Sequence, residues 1–271
     1  MSGVYRYDGT FSGLLTLLAR LMPERILPDA ICVEPASQQG LFAGVTTIET
    51  DQAIAGELWE ELTRRLAPSG LGHIRRAFLA GETGRELMIC RYLLLAWQVG
   101  RKIGGMLAHP HVAPLWKLSQ QVAGEAHRYK GFVRFQETGG GFYFAAISPG
   151  HRILSLIAPH FSARLSDQHW VIHDAAHGEG IVHDRLRMQW LILPMEINGS
   201  PDLSAAEVRF QALWQRYFST IAIAGRENLR LQQSRVPLKV RPWLVEFAQE
   251  GEAESGKAGN NPALSLYHYI Y

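Results

Sequence analysis

The sequence predicts an α+β fold, an antiparallel sheet of two hairpins packed with several helices, one of them central and apolar. Three features predict it. Alternating strands come in consecutive pairs, Phe132–Glu137 with Phe142–Ile147 and Trp170–Asp174 with Gly180–His183, each pair joined by a short turn. Helical stripes follow one another between residues 51 and 130 instead of alternating with strands, which argues against a doubly wound sheet. Within that run, Leu87 to Leu107 is apolar nearly all round, the pattern of a buried helix.

Each element has its own local reason. Val4–Tyr7 alternates as a short strand, and Asp8-Gly9 turns it. Thr10 is placed to cap a helix carrying Phe11, Leu14, Leu15, Leu18 and Leu21 on one face. Ile31–Val33 and Leu41–Ile48 read as strands rich in β-branched residues. Asp51 caps a helix with the stripe Ile54, Leu58, Leu62 and Leu66; Pro68 stops it and Ser69 opens a shorter one. Thr83-Gly84-Arg85-Glu86 has capping-box spacing for the central helix. Val112 to Lys130 continues helical, with Gly131 as the C′ residue. Glycines 139–141 lead from strand to strand, so they read as a hairpin turn and not as a phosphate cradle. Ile153–Leu165 is a helix interrupted near Pro159, and Trp190–Met195 adds a strand. Ser204-Ala205-Ala206-Glu207 caps a helix expected to bury Phe210, Leu213, Trp214, Tyr217 and Ile221. Residues 1–247 are drawn as a single α+β domain; 248–271 form a flexible tail, polar to Pro262 and then aromatic over Leu264–Tyr271.

With 47% hydrophobic and 19% charged residues, the composition is that of a globular protein with a sizeable core. No apolar run reaches membrane-spanning length, and the N-terminus lacks the basic-then-apolar layout of a signal peptide. Cys32 and Cys90 stand far apart, outside any CxxC, which suits a reduced cytoplasm and leaves too few thiolates for an iron–sulfur cluster held by this chain alone. A cytoplasmic location with no membrane contact is expected. Net charge is only +2, but it is unevenly spread. Between residues 209 and 241, Arg209, Arg216, Arg226, Arg230, Arg235, Lys239 and Arg241 face a single acid, Glu227. That segment is either a solvated basic helix face or a phosphate-binding one.

Few standard catalytic signatures are available. There is no Walker loop, no G-x-S-x-G elbow and no H-E-x-x-H helix. His173, Asp174, His177, His183 and Asp184 invite a metal reading, but adjacent strand residues point to opposite faces, so no metal and no cofactor is expected. Glu125 and Arg128, three apart on a helix, read as a surface ion pair, or else Arg128 joins Arg134 near one end of the sheet as an anion site. His160, between Pro159 and Phe161, is either a hydrogen-bonded core histidine or a general acid–base. Trp170, His169, Tyr143, Phe142 and Phe144 place aromatics beside the arginines, as core or as stacking platforms for bases.

Taken together, these blocks resemble the "probable DNA metabolism protein" family, a domain of unknown function numbered 4130. The matching stretches are Tyr5–Phe11 with Gly13-Leu14-Leu15, then Glu125-Ala126-His127-Arg128 running into Gly131–Phe135. Ile147-Ser148-Pro149 with His151, Leu156–Phe161 and Trp170–Asp174 follow, and Leu213-Trp214, Tyr217, Ile221-Ala222-Ile223, Arg226, Asn228 and Gln232 close the series. The resemblance runs to about Glu246. The chain departs from the family in having Gly150 and Arg152 around His151, where Asp and Asn are usual, and Val240-Arg241-Pro242-Trp243 in place of Arg-Tyr-Trp. The resemblance implies a DNA repair or modification context and a separate radical S-adenosylmethionine protein as partner; some members are fused to a uracil-DNA-glycosylase-like domain. It supplies no established catalytic residues.

The expectation is therefore a DNA-binding component acting with that partner. His127, Arg134, His160, His173 and Asp174 are its candidate catalytic residues; Arg128, Arg226, Asn228, Arg230 and Arg235 are its candidate nucleic-acid contacts. Two alternatives stand beside it. One is an autonomous nucleotide- or base-directed hydrolase using His160 or His173, with or without a metal. The other is a protein-interaction scaffold docking through its aromatic tail.

Overall fold

The turn after the first strand shows how side chains set the architecture. In the computed structural model, which describes residues 3–33, 44–197, 199, 201–221 and 228–247, Asp8 Oδ1 accepts from the Thr10 amide at 2.9 Å and the Thr10 hydroxyl at 2.8 Å. Its Oδ2 accepts from the Thr50 hydroxyl at 2.7 Å. Thr10 in turn caps the first helix by accepting from the Gly13 amide at 2.9 Å. The residues group into two units, Met1–Ala123 and Gly124–Tyr271, each described by itself.

In the first unit, β1 (Val4–Tyr7) is the central strand of a three-stranded sheet, between β2 (Ala30–Val33) and β3 (Val45–Thr47). Both pairings are parallel. Parallel strands need a crossover, and α1 (Phe11–Leu21) supplies the one between β1 and β2. It buries Leu14, Leu15, Leu17, Leu18 and Leu21 and packs on α2 (Gln52–Arg65), capped by Asp51. Pro68, read as a stop, is also the first residue of α3 (Pro68–Phe78), where its missing N–H costs nothing.

The capping box expected at Thr83–Glu86 does not form. Gly84 caps α4 (Arg85–Val99) in a left-handed conformation, φ 81°, that a threonine or serine would resist. Glu86 is drawn inward instead, accepting from the Tyr7 hydroxyl at 3.1 Å and pairing with Arg85 Nε at 3.0 Å. Burial and then the Glu86 charge push the Tyr7 hydroxyl far above its usual pKa. The helix ends at Gly100, φ 59°, short of Leu107, and a 3₁₀ turn continues to Gly105. Ile89, Cys90, Tyr92, Leu93 and Ala96 are buried and Leu87, Met88, Leu94, Leu95 and Trp97 part-buried, so the helix is apolar over most of its circumference, with Arg91 and Gln98 exposed. α5 (Ala113–Phe132) runs straight through Gly131, which is therefore not its C′ residue.

The second unit carries β4 (Gln136–Glu137), β5 (Tyr143–Ile147), β6 (Trp170–Asp174), β7 (Glu179–Asp184) and β8 (Gln189–Pro194), ordered as in sequence. Both expected hairpins are present, and β7–β8 adds a third antiparallel pair. The antiparallel expectation fails at one joint. β5 and β6 run parallel because α6 (Leu154–Arg164) returns the chain to the starting edge. The sheet is therefore mixed, within an α+β fold. Arg134 precedes β4 and lies off the strand on which it was expected.

Ser204 caps α7 (Ala205–Ile221) by accepting from the Glu207 amide at 3.0 Å. Glu207 does not close the box; it accepts from the Glu137 amide at 3.2 Å, tying the helix start to β4. The expected buried stripe of α7 faces outward. Phe210 is 62%, Leu213 67% and Tyr217 56% exposed, and no residue of the helix is buried among the described residues. Asn228 caps α8 (Leu229–Arg235) by accepting from the Leu231 amide at 2.9 Å, and 3₁₀ turns follow to Phe247. The flexible-tail reading of 248–271 lies outside the described residues. No helix among the described residues is long and apolar enough to cross a membrane.

Gly13 has no room for a side chain. A Cβ there would collide with the Asp8 carboxylate and come within 2.7 Å of Thr50 Oγ1. The Gly13→Ala protein is expected to lose about 1–3 kcal/mol of unfolding free energy, measured by urea titration, although alanine is the better helix former.

Candidate functional site

Successive strand residues alternate in direction, so β6 sends His173 and Asp174 to opposite faces of the second sheet. The two end in different chemical settings.

On the His173 face, Phe142, Phe144, Val171, Val182 and Met195 form a small core. Beside it lies a cavity of about 280 Å³ lined by Arg134, Gln136, Ala146, His173, Gln211 and Trp243, among others. His173 Nε2 is 3.2 Å from the Met195 carbonyl oxygen. A carbonyl only accepts, so Nε2 carries the ring proton and Nδ1 keeps its lone pair. Burial pulls the His173 pKa below its usual 6.5; the Met195 carbonyl and Asp174 offset this only in part, so the ring is neutral at pH 7. Arg134 is already engaged. It donates to the Gly131 carbonyl at 2.7 Å and pairs with Glu246 at 2.9 Å. Burial alone would raise the Glu246 carboxyl, but Arg134 outweighs it and holds the group ionised. The cavity thus presents a neutral imidazole and a neutralised guanidinium.

Asp174, on the opposite face, is 0% exposed. Its Oδ1 accepts from the Ala176 amide at 3.0 Å, and its Oδ2 accepts from His177 Nδ1 at 2.7 Å. This fixes the His177 tautomer with Nε2 as the acceptor nitrogen. Tyr129, buried on α5, lies within electrostatic reach of Glu125, Asp174 and Arg128. Burial first, then the two carboxylates, push its hydroxyl far above the usual range, and the oxygen finds no hydrogen-bond partner among the described residues. Glu125 is not the surface partner of Arg128. It is buried, accepting from the Gly150 amide at 3.1 Å, the His151 amide at 2.9 Å and Lys239 Nζ at 2.9 Å. Burial alone would raise its pKa, but Lys239 and the Gly150 N–H outweigh this and lower it.

The candidate residues His127, Arg128, Arg134, His160, His173 and Asp174 therefore do not share one pocket. Arg134 and His173 share the cavity; Arg128 and Asp174 flank Tyr129. His127 is exposed on α5, and the Arg128 guanidinium lies along Gly124, 3.6 Å from where a Cβ would stand. His160 is half-buried with its ring against Phe161, 5.0 Å between centroids. Arg230 and Arg235 are exposed on α8, Asn228 is spent as its cap, and Arg226 lies outside the described residues. Among the described residues no three His, Cys, Asp or Glu side chains converge as metal ligands. Tyr129, His177 and Lys239 were missed as partners. The spacing of Glu125 and Tyr129, four apart on one helix face, was the available signal.

A model of the family described as Domain of unknown function (DUF4130) matches residues 83–246. That is more than half of the 271 residues. The chain belongs to this family. The DUF4130 match takes in the cavity, the Glu125–Tyr129 cluster and both α7 and α8, while the Tyr5–Leu15 block lies before it. Neither the curated proteins nor the solved structures contain a match to the chain.

The shifts set a direction for acid sensitivity. His173, and His73 in the first unit, have folded pKa values below the unfolded 6.5, so the unfolded chain binds protons first and stability falls as pH drops through that value. Glu125 and Glu246, lowered from 4.5, contribute stability that is complete above that pH and is lost as pH falls further. Urea midpoints measured from about pH 8 to about pH 2.5 should decline in these two stages, and His173→Gln should flatten the upper one.

Proposed function

We propose that the chain is a DNA-binding component of a DNA repair or modification system, acting with a separate radical S-adenosylmethionine protein that supplies the chemistry. One observation carries the DNA reading. Arg209 and Arg216 on α7 and Arg230 and Arg235 on α8 are exposed, and none joins an ion pair among the described residues. Beyond Glu207 neither helix holds a carboxylate. The neighbouring cations differ: Lys239 is held by Glu125, and Arg241 donates to Gln232 and covers the Phe247 ring. The exposed arginines of α7 and α8 are thus left for solvent or phosphate, whereas Lys239 and Arg241 are held within the fold. Guanidinium groups suit phosphate because their donors match two of its oxygens at once. The partner assignment rests on the family resemblance.

Fluorescence anisotropy with a labelled duplex tests the reading. Four phosphate contacts give a log K against log salt slope of about −3 to −4, from about −0.9 per neutralised phosphate. Replacing Arg230 and Arg235 together by alanine should flatten that slope by about 2 and weaken all sequences alike. Binding that is absent, or indifferent to salt, overturns the proposal.

A further inference from the structure

The outward stripe of α7 calls for a cover. Phe210, Leu213, Tyr217 and Ile221 are each more than half exposed and recur at helical spacing, forming one apolar ridge. Contiguous apolar surface of this kind marks a docking site. We propose that its occupant is the segment Leu264–Tyr271 of the same chain, laid along α7, with the acidic residues Glu250, Glu252 and Glu254 of the connecting stretch drawn over the α7 and α8 arginines.

Three observations favour this occupant. The chain leading to the segment starts from α7 itself, since Phe247, the last described residue, packs against Phe218 of that helix, 5.7 Å between ring centroids. The segment also has the right chemistry, because Leu264, Leu266, Tyr267, Tyr269, Ile270 and Tyr271 leave only Ser265 and His268 polar. Finally, the tether has a suitable length. Sixteen residues, 248–263, separate Phe247 from the segment and can span at most about 55 Å. At 1.5 Å per residue, α7 is about 25 Å long, so the segment reaches the whole ridge. A tether of this kind gives an effective concentration near 1 mM, so even an intrinsic Kd of about 100 μM keeps the ridge covered about nine-tenths of the time. The charges agree as well: three glutamates against one lysine, Lys257, in the tether face the uncompensated arginines.

The docking stands on the ridge and the tether; its consequence for DNA rests on the reading proposed above. The bound tether places carboxylates where phosphates would lie, so the tail competes with DNA.

The experiment uses the full-length chain and a variant carrying Tyr267→Ser, Tyr269→Ser and Ile270→Ser, substitutions outside the described residues. Hydrogen–deuterium exchange of α7 and binding of the apolar dye anilinonaphthalene sulfonate are followed at several protein concentrations. Docking predicts about tenfold faster exchange of α7 and several-fold more dye bound in the variant, independent of concentration. Equal exchange and dye binding in the two proteins overturns the proposal. So does protection that appears only as concentration rises, which would make a second copy the cover. Duplex affinity is read in parallel. A several-fold tighter Kd for the variant supports competition, while an unchanged Kd overturns the competitive role and leaves the docking to the exchange data. If neither protein binds DNA, the DNA reading fails and the docking is still decided by exchange and dye.

Discussion

A single buried carboxylate organises the second unit. Glu125 sits on α5 with almost no solvent contact, and an ionised carboxylate there is tolerable only if most of its lone pairs are taken. The amides of Gly150 and His151 take two positions and the Lys239 ammonium takes a third. Together the three bonds join three parts of the chain: the helix that carries Glu125, the loop after β5, and the 3₁₀ turn that ends the basic segment. Charge-assisted bonds of this kind are about twice as strong as neutral ones and fail together, because removing one leaves the carboxylate under-solvated. The side-chain positions discussed above, on either face of the sheet, depend on this junction holding.

The alternation of β6 governs what the unit can do chemically. Adjacent residues His173 and Asp174 look like a pair in the sequence, yet a strand separates them as completely as two walls of a room. Asp174 instead finds its imidazole three residues later, across the β6–β7 turn, in His177. His173 is left neutral, with its proton directed at the Met195 carbonyl, beside a cavity whose lining arginine, Arg134, is already balanced by Glu246. Charge for an anionic partner must therefore come from elsewhere on the surface, and α7 and α8 each carry two exposed arginines outside any ion pair among the described residues.

Local rules made much of the fold legible. Thr10 and Asp51 cap the helices that their side chains announced, and the hairpins at 136–147 and 170–184 formed where alternation and turn residues placed them. Readings failed where a distant partner overruled a local signal. Glu86 had the spacing of a capping residue but was claimed by Tyr7, far away in sequence. Glu125 had an arginine three residues on but was claimed by a loop and by Lys239. The parallel β5–β6 joint was invisible because pairing direction is set by the crossover helix and not by the strands. α7 failed for a different reason. Periodicity reports an apolar face but not what covers it, and here the described units leave that face open.

The parallel joint also bears on how the second unit assembles. β6, β7 and β8 meet through the short turns 175–178 and 185–188, so this meander can zip from local contacts alone. β5 joins it only after the stretch 148–169, including α6 with its internal Pro159, has closed on itself. Closing that longer loop costs entropy before any ladder bond repays it. The strand closed by this longer loop is the one that ends beside the Glu125-bound loop, so the carboxylate junction is made only once that loop has closed. A nascent chain would thus expose the open edge of β6, a row of unpaired backbone groups, for as long as that closure takes.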